Sequence, residues 1–170
     1  MIEREKEFYS IELAKKLTGI EDETILKFYI DSVISKIERT IGYKLTKSEI
    51  KENISGLDRN IIYLTSKPVE SVSKAFINNK EVGFVLDKHR LIFDFEICSC
   101  EKVKVEYVAG YDKLPSDILM FICSTISETT ANSAGLKSFS IKDVSYSYFD
   151  KVQQSENFRR GIIDIFGVSI

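Results

Sequence analysis

Between Asp22 and Gly42 the apolar residues recur every three or four positions, and between Ile61 and Val108 they recur mostly every second position. A chain that changes period in this way combines helices with a block of strands, an α+β fold. In the helical stretch Leu26, Phe28, Tyr29, Ile30, Val33, Ile34, Ile37 and Ile41 make a stripe wide enough to be covered on more than one side. Asp22 is placed as its N-cap, Glu23 sits near the positive end of the dipole, and Gly42 supplies the stop. Ahead of it, Ser10 caps a shorter helix that carries Leu13 and Leu17 on one face and ends at Gly19.

The period-two region predicts four to six antiparallel strands. They run through Ile61 and Tyr63, Val69 to Ile77, Val82 to Leu86, Leu91 to Phe95, and Val103 to Val108, with turns at Asn78-Asn79 and Asp87-Lys88. Pro68 marks a bend or an edge. Thr46-Lys47-Ser48-Glu49 has the form of a capping box, but Ser48 to Ser55 reads at least as well as a strand, and the strand is preferred. Pro115 and Asp117 open a second long helix that runs to about Ala134 before Gly135. A period-two Ser/Tyr stretch follows at 137–150. An amphipathic helix over 155–167 then presents Phe158, Ile162, Ile165 and Phe166 before Gly167. The expected organisation is one domain over 1–170: helices in 8–42 and 115–135, a β-rich elaboration at 48–109, and the terminal helix.

With 44% hydrophobic and 29% charged residues the chain has the composition of a folded domain rather than a disordered one. Lys and Arg number 24 against 26 Asp and Glu, so the basic excess of a dedicated nucleic-acid binder is missing. The run Met1 to Glu7 is charged, unlike the apolar core of a signal peptide, and no apolar run nears the roughly 20 residues of a membrane span. Three cysteines, an odd number, fit a reducing compartment.

Catalytic apparatus is hard to assemble from this inventory. His89 is the only histidine and falls in a turn, which leaves no His pair for a metal. Cys98-x-Cys100 would set two thiols on one face of a strand, too few for a structural zinc site, and Cys123 lies in an apolar helix. Asp94, Glu96 and Glu101 are spaced like the solvent side of a hairpin. Gly56, Gly83 and Gly110 are isolated, so no phosphate-cradling loop exists. No enzyme activity, metal or cofactor is expected. Recognition surfaces remain: the polar end of the second long helix (Ser124 to Ser133), the Ser/Tyr stretch and the C-terminal helix.

Four segments, in order, resemble the head–tail connector (head-completion or adaptor) proteins of tailed bacteriophages. They are the helix Asp22 to Gly42, the Lys67-Pro-Val-Glu-Ser-Val72 strand, and Val105-Glu-Tyr-Val-Ala-Gly-Tyr-Asp-Lys-Leu-Pro-Ser-Asp117, similar to that family's lead-in to its long helix. The fourth is Leu136 to Tyr148, with its Ser-Tyr-Ser-Tyr close. The resemblance implies a structural protein of the virion neck, made in the host cytoplasm. It would form a homo-oligomeric ring, twelve-fold on the portal, between the portal protein and a head-closure or tail-terminating protein. Double-stranded DNA would pass through the centre without specific binding. On this reading Ser138, Ser140, Asp143, Ser145, Tyr146, Ser147 and Tyr148 form the subunit contact or line the channel. Phe158, Arg159, Arg160, Ile162, Ile165 and Phe166 form the portal-docking helix. The competing expectation is a small binding module or regulator outside any virion.

Overall fold

The computed structural model describes residues 8–56, 58–132, 138–141, 144–147 and 151–167; of 131–132, 138–141, 144–147 and 151–154 it describes the backbone alone. The fold is α+β and divides into two compact units, one made of the chain up to 41 and from 114 onward, the other of residues 42–113. The first carries helices α1 (Ile11–Thr18), α2 (Glu23–Ile41), α3 (Ser116–Asn132) and α4 (Lys151–Phe166), with a two-stranded hairpin. Among the described residues the second holds seven strands: β1 (Ser48–Ser55), β2 (Arg59–Tyr63), β3 (Val69–Ile77), β4 (Lys80–Glu81), β5 (Val85–Asp87), β6 (Arg90–Ile97) and β7 (Lys102–Ala109).

In the helical unit the expected caps are in place. Ser10 accepts from the Leu13 N–H, and Gly19 closes α1 at φ 71° with its N–H on the Lys15 carbonyl. Asp22 Oδ1 accepts from the Thr24 and Ile25 N–H groups at 2.9 and 3.0 Å, and Gly42 leaves α2 at φ 84°. The buried faces are narrower than the apolar stripes. On α1, Ile11 and Ala14 are buried, whereas Leu13 and Leu17 are exposed. On α2, Leu26, Ile30 and Ile37 are fully buried, while Phe28 is 70% exposed, so the helix is covered on one side and not on several. Leu114, Ile118, Leu119, Ile122, Cys123 and Ile126 complete this core. The threonines of α3 turn their hydroxyls back on their own helix: Thr125 donates to the Phe121 carbonyl at 2.9 Å and Thr129 to that of Thr125 at 2.8 Å. The stop expected at Gly135 lies outside the described residues.

The β unit is two antiparallel sheets, ordered β1-β7-β3-β4 and β2-β6-β5. Alternation on β7 sends Val103, Val105, Tyr107 and Ala109 inward, where they meet Ala75 and Ile77 of β3 and Ile62, Leu91, Phe93 and Ile97 of the other sheet. The preferred strand at 48–55 is present and pairs with β7 from Ser48↔Ala109 to Ser55↔Lys102. Asn78 and Asn79 both hold positive φ, 51° and 64°, as a two-residue hairpin loop requires.

Three local expectations are corrected. The single strand at Val82 to Leu86 is broken: β4 pairs with β3 in one sheet and β5 with β6 in the other, and Val82-Gly83-Phe84 carries the chain between them. With that break the region from Arg59 to Ala109 holds six strands among the described residues, within the four to six expected there, and the separately expected strand at 48–55 is the seventh. The next hairpin loop is Lys88-His89, one residue later than expected, since Asp87 pairs with Arg90. Cys98 and Cys100 lie in the turn between β6 and β7 rather than on a strand.

Candidate assembly surfaces

The segment Val105 to Asp117 ends the β unit and opens α3. Tyr107 is buried; its hydroxyl donates to Glu52 Oε2 of β1 at 2.6 Å and accepts the Ser66 N–H at 3.3 Å. Glu52 also accepts from the Thr65 N–H and hydroxyl, so the loop after β2 is tied to two strands of the other sheet. Gly110 takes φ 107°, and a Cβ built there would lie 2.7 Å from backbone atoms of Thr46 and Lys47. The next residue, Tyr111, donates its N–H to the Leu45 carbonyl at 2.8 Å and accepts the Lys47 N–H at 3.0 Å. Lys47 reaches Asp112 at 3.1 Å and pairs with Glu70. The motif therefore clasps the chain leaving α2 to the chain approaching α3.

Burial, and secondly the Glu52 hydrogen bond, push the Tyr107 phenol up to about 12. In the unfolded chain it titrates near about 10, so the folded state favours the neutral phenol. Its contribution is complete below about pH 10 and is lost as pH rises toward 12. Tyr107→Phe is expected to melt lower than wild type near neutral pH, by about 1–2 kcal/mol for the two orphaned partners. The gap should close between pH 10 and 12, as thermal melts across that range will report.

The Ser/Tyr stretch forms a hairpin of β8 (Ser138–Ile141) and β9 (Val144–Ser147), in register from Ser138↔Ser147 to Ile141↔Val144. Ser138 and Ser147 therefore face each other across the pair, as do Ser140 and Ser145, with Tyr146 opposite Phe139. Among the described residues the two strands pair only with each other. Asp143 and Tyr148 lie outside the described residues.

Helix α4 starts at Lys151, four residues before the expected 155, and ends at Gly167, φ 59°, whose N–H reaches the Ile163 carbonyl. The apolar stripe that betrays the helix begins only at Phe158, which is why its first turn was not legible. Phe158 and Ile162 are buried in the helical unit. The Phe158 ring lies 5.7 Å from that of Phe121, with Lys36 Nζ 3.9 Å from its centroid. Gly161 admits the Phe121 ring where a Cβ would collide. Arg159 and Arg160 are exposed, Ile163 is 43% exposed, and Ile165 and Phe166 are half-buried. Between α3 and α4 a pocket of about 170 Å³ is lined by Lys36, Ser124, Thr125, Glu128 and Asn157 among others.

The remaining candidates are placed as follows. His89 is half-buried, its ring 5.9 Å from Tyr63 and its carbonyl accepting the Leu64 N–H; burial, then Lys67 and Arg90, hold its pKa below the usual imidazole range. Asp94 and Glu96 are exposed on β6, while Glu101 accepts from Asn78 and from the Cys98 N–H, so the three carboxylates are not brought together as a pair. Among the described residues no group of three or more His, Cys, Asp or Glu could hold a metal, and no helix is long and apolar enough to cross a membrane.

A four-helix unit with a two-sheet β unit inserted between α2 and α3 is thus the class of fold. No protein-family model matches the chain, and no curated protein matches its sequence. Among solved structures it is similar to a chain in the neck of an empty gene transfer agent (GTA) particle computed with C6 symmetry, at TM-score 0.49 and 14% identity over 86% of each chain. It is also similar to a chain in the virion of the native gene transfer agent particle, at TM-score 0.46 and 16% identity over 87% of each chain.

Proposed function

We propose that this protein is a structural component of the neck of a phage-like particle, a connector. It would join in a ring of identical subunits between the portal and the head-closure or tail-terminating protein, with DNA passing through the centre. The observation that carries the reading is the Val105–Asp117 segment. It resembles the connector family's lead-in to its long helix, and here Tyr107, Gly110, Tyr111, Leu114 and Pro115 each have a structural task in that junction. The order of elements, helices then strands then helices, agrees with it.

The hairpin supports a ring contact. A two-stranded hairpin is marginal alone, and open strand edges are ready to add to a neighbour's strands. Ser138, Ser140, Ser145, Tyr146 and Ser147, with Asp143 and Tyr148, are assigned to that contact or to the channel wall. Head-to-tail contacts of this kind close into rings. Phe158 and Ile162 hold α4 to its own unit, so portal docking is assigned to Arg159, Arg160 and Ile163, flanked by Ile165 and Phe166.

The test is to identify the genes beside this one and co-express the chain with the portal protein found there. Rings seated on the portal in negative-stain micrographs are expected, and Arg160→Glu should melt like wild type yet no longer co-purify with the portal. Neighbouring genes for metabolism or regulation, or a portal that never retains the wild-type chain, would overturn the reading.

A further inference from the structure

The turn between β6 and β7 is clamped at four points. Glu101 donates its N–H to the Cys98 carbonyl at 2.9 Å, and the Gly56 N–H reaches the Glu101 carbonyl at 2.9 Å. The Ser99 N–H meets Asp58 Oδ1 at 2.7 Å, and the Cys98 N–H meets Glu101 Oε2 at 3.0 Å. On this turn the sulfurs of Cys98 and Cys100 are 2.6 Å apart, and both residues are exposed, while the third thiol, Cys123, is buried in the helical unit. An extended strand would hold residues i and i+2 roughly 6.6 Å apart, beyond the ~4.5 Å between Cβ atoms that a disulfide spans. The turn is what brings the two thiols together, and the hydrogen bonds that shape it are there before any oxidation.

We propose that Cys98 and Cys100 are an exchange-active dithiol, a modification site that closes to an intramolecular disulfide on meeting a low-molecular-weight disulfide such as oxidised glutathione. One cysteine thiolate attacks a glutathione sulfur, breaking the glutathione S–S bond. A mixed disulfide forms, and one glutathione thiolate leaves and takes up a proton. The neighbouring cysteine, deprotonated in turn, attacks the protein-bound sulfur and expels the second glutathione. The protein loses two protons and two electrons, and oxidised glutathione takes them up to become two thiols. The hydrogen bond with Cys98 holds the Cys100 thiol above its ordinary range. A metal role is not favoured, since two thiols are too few to close a zinc site and no third ligand joins them among the described residues.

The experiment is to incubate the folded full-length chain with oxidised glutathione, quench with iodoacetamide, and read intact mass and peptide maps. Wild type should lose two hydrogens, show a Cys98–Cys100 bond, leave Cys123 reduced, and hold the mixed disulfide below about a tenth of the protein, because the second attack is intramolecular. Cys98→Ser and Cys100→Ser should each retain one glutathione nearly completely. A wild-type chain that accumulates the glutathione adduct as the single variants do, or that keeps its full count of free thiols, would overturn the assignment. The wild-type masses alone decide this even if a variant folds poorly.

Discussion

Replacing Gly110 by alanine is expected to destabilise the protein by about 3–5 kcal/mol. Two costs add. A side chain at φ 107° is strained wherever it points, by about 1–3 kcal/mol. The new Cβ would also lie 2.7 Å from Thr46 and Lys47 backbone atoms, which cannot swing aside as a side-chain tip could. Relief of that collision must lengthen the Lys47–Tyr111 and Tyr111–Leu45 hydrogen bonds, which hold β1 and β7 together at this end. Gly83→Ala is the control, since a Cβ there meets nothing within 4 Å and its φ is ordinary; its midpoint should match wild type or rise slightly. Urea unfolding followed by far-UV circular dichroism compares the two. Equal midpoints for Gly110→Ala and wild type would show that the chains do not approach as described.

Truncation of Phe158 to alanine is expected to cost about 3–4 kcal/mol and lower the melting temperature by roughly 10 °C. The ring is 7% exposed and lies between Phe121 and the Lys36 ammonium, so its loss leaves a cavity beside α3 and an ammonium without its aromatic face. Gly161 makes the packing possible, and it does so despite costing about 1 kcal/mol relative to alanine in a helix interior. Phe158→Ala should weaken the fold, whereas the charge reversal at the exposed Arg160 should leave the melt unchanged. A Phe158→Ala protein that melts like wild type would place α4 off the helical unit.

Tyr107, Gly110 and Tyr111 act on hydrogen bonds and backbone clearance inside the chain, at the place where the β unit is spliced between α2 and α3. The resemblance thus rests on folding signals.

What the amino-acid order decided unaided was whatever closes over a few residues. The Asp22 and Ser10 caps, the Gly19, Gly42 and Gly167 stops, and the Asn78-Asn79 turn each depend on neighbours within about four positions, and each stands where the local chemistry put it. What only the tertiary structure decided was every choice in which two local answers were of similar free energy. Residues 46–49 could open a helix, and they lead into a strand because β7, more than fifty residues later, offers Ser48 to Ser55 a complete ladder. Val82 to Leu86 could be one strand, and it is divided because β3 and β6 compete for its two ends from different sheets. Leu13 and Leu17 are as apolar as a core pair, yet α1 buries Ile11 and Ala14 instead, because the packing of the helical unit and not the helix's own pattern sets which face is covered. The thiols of Cys98 and Cys100 met for the same reason: a turn pinned by Asp58, Gly56 and Glu101 set a distance that the spacing of two residues in a sequence does not contain.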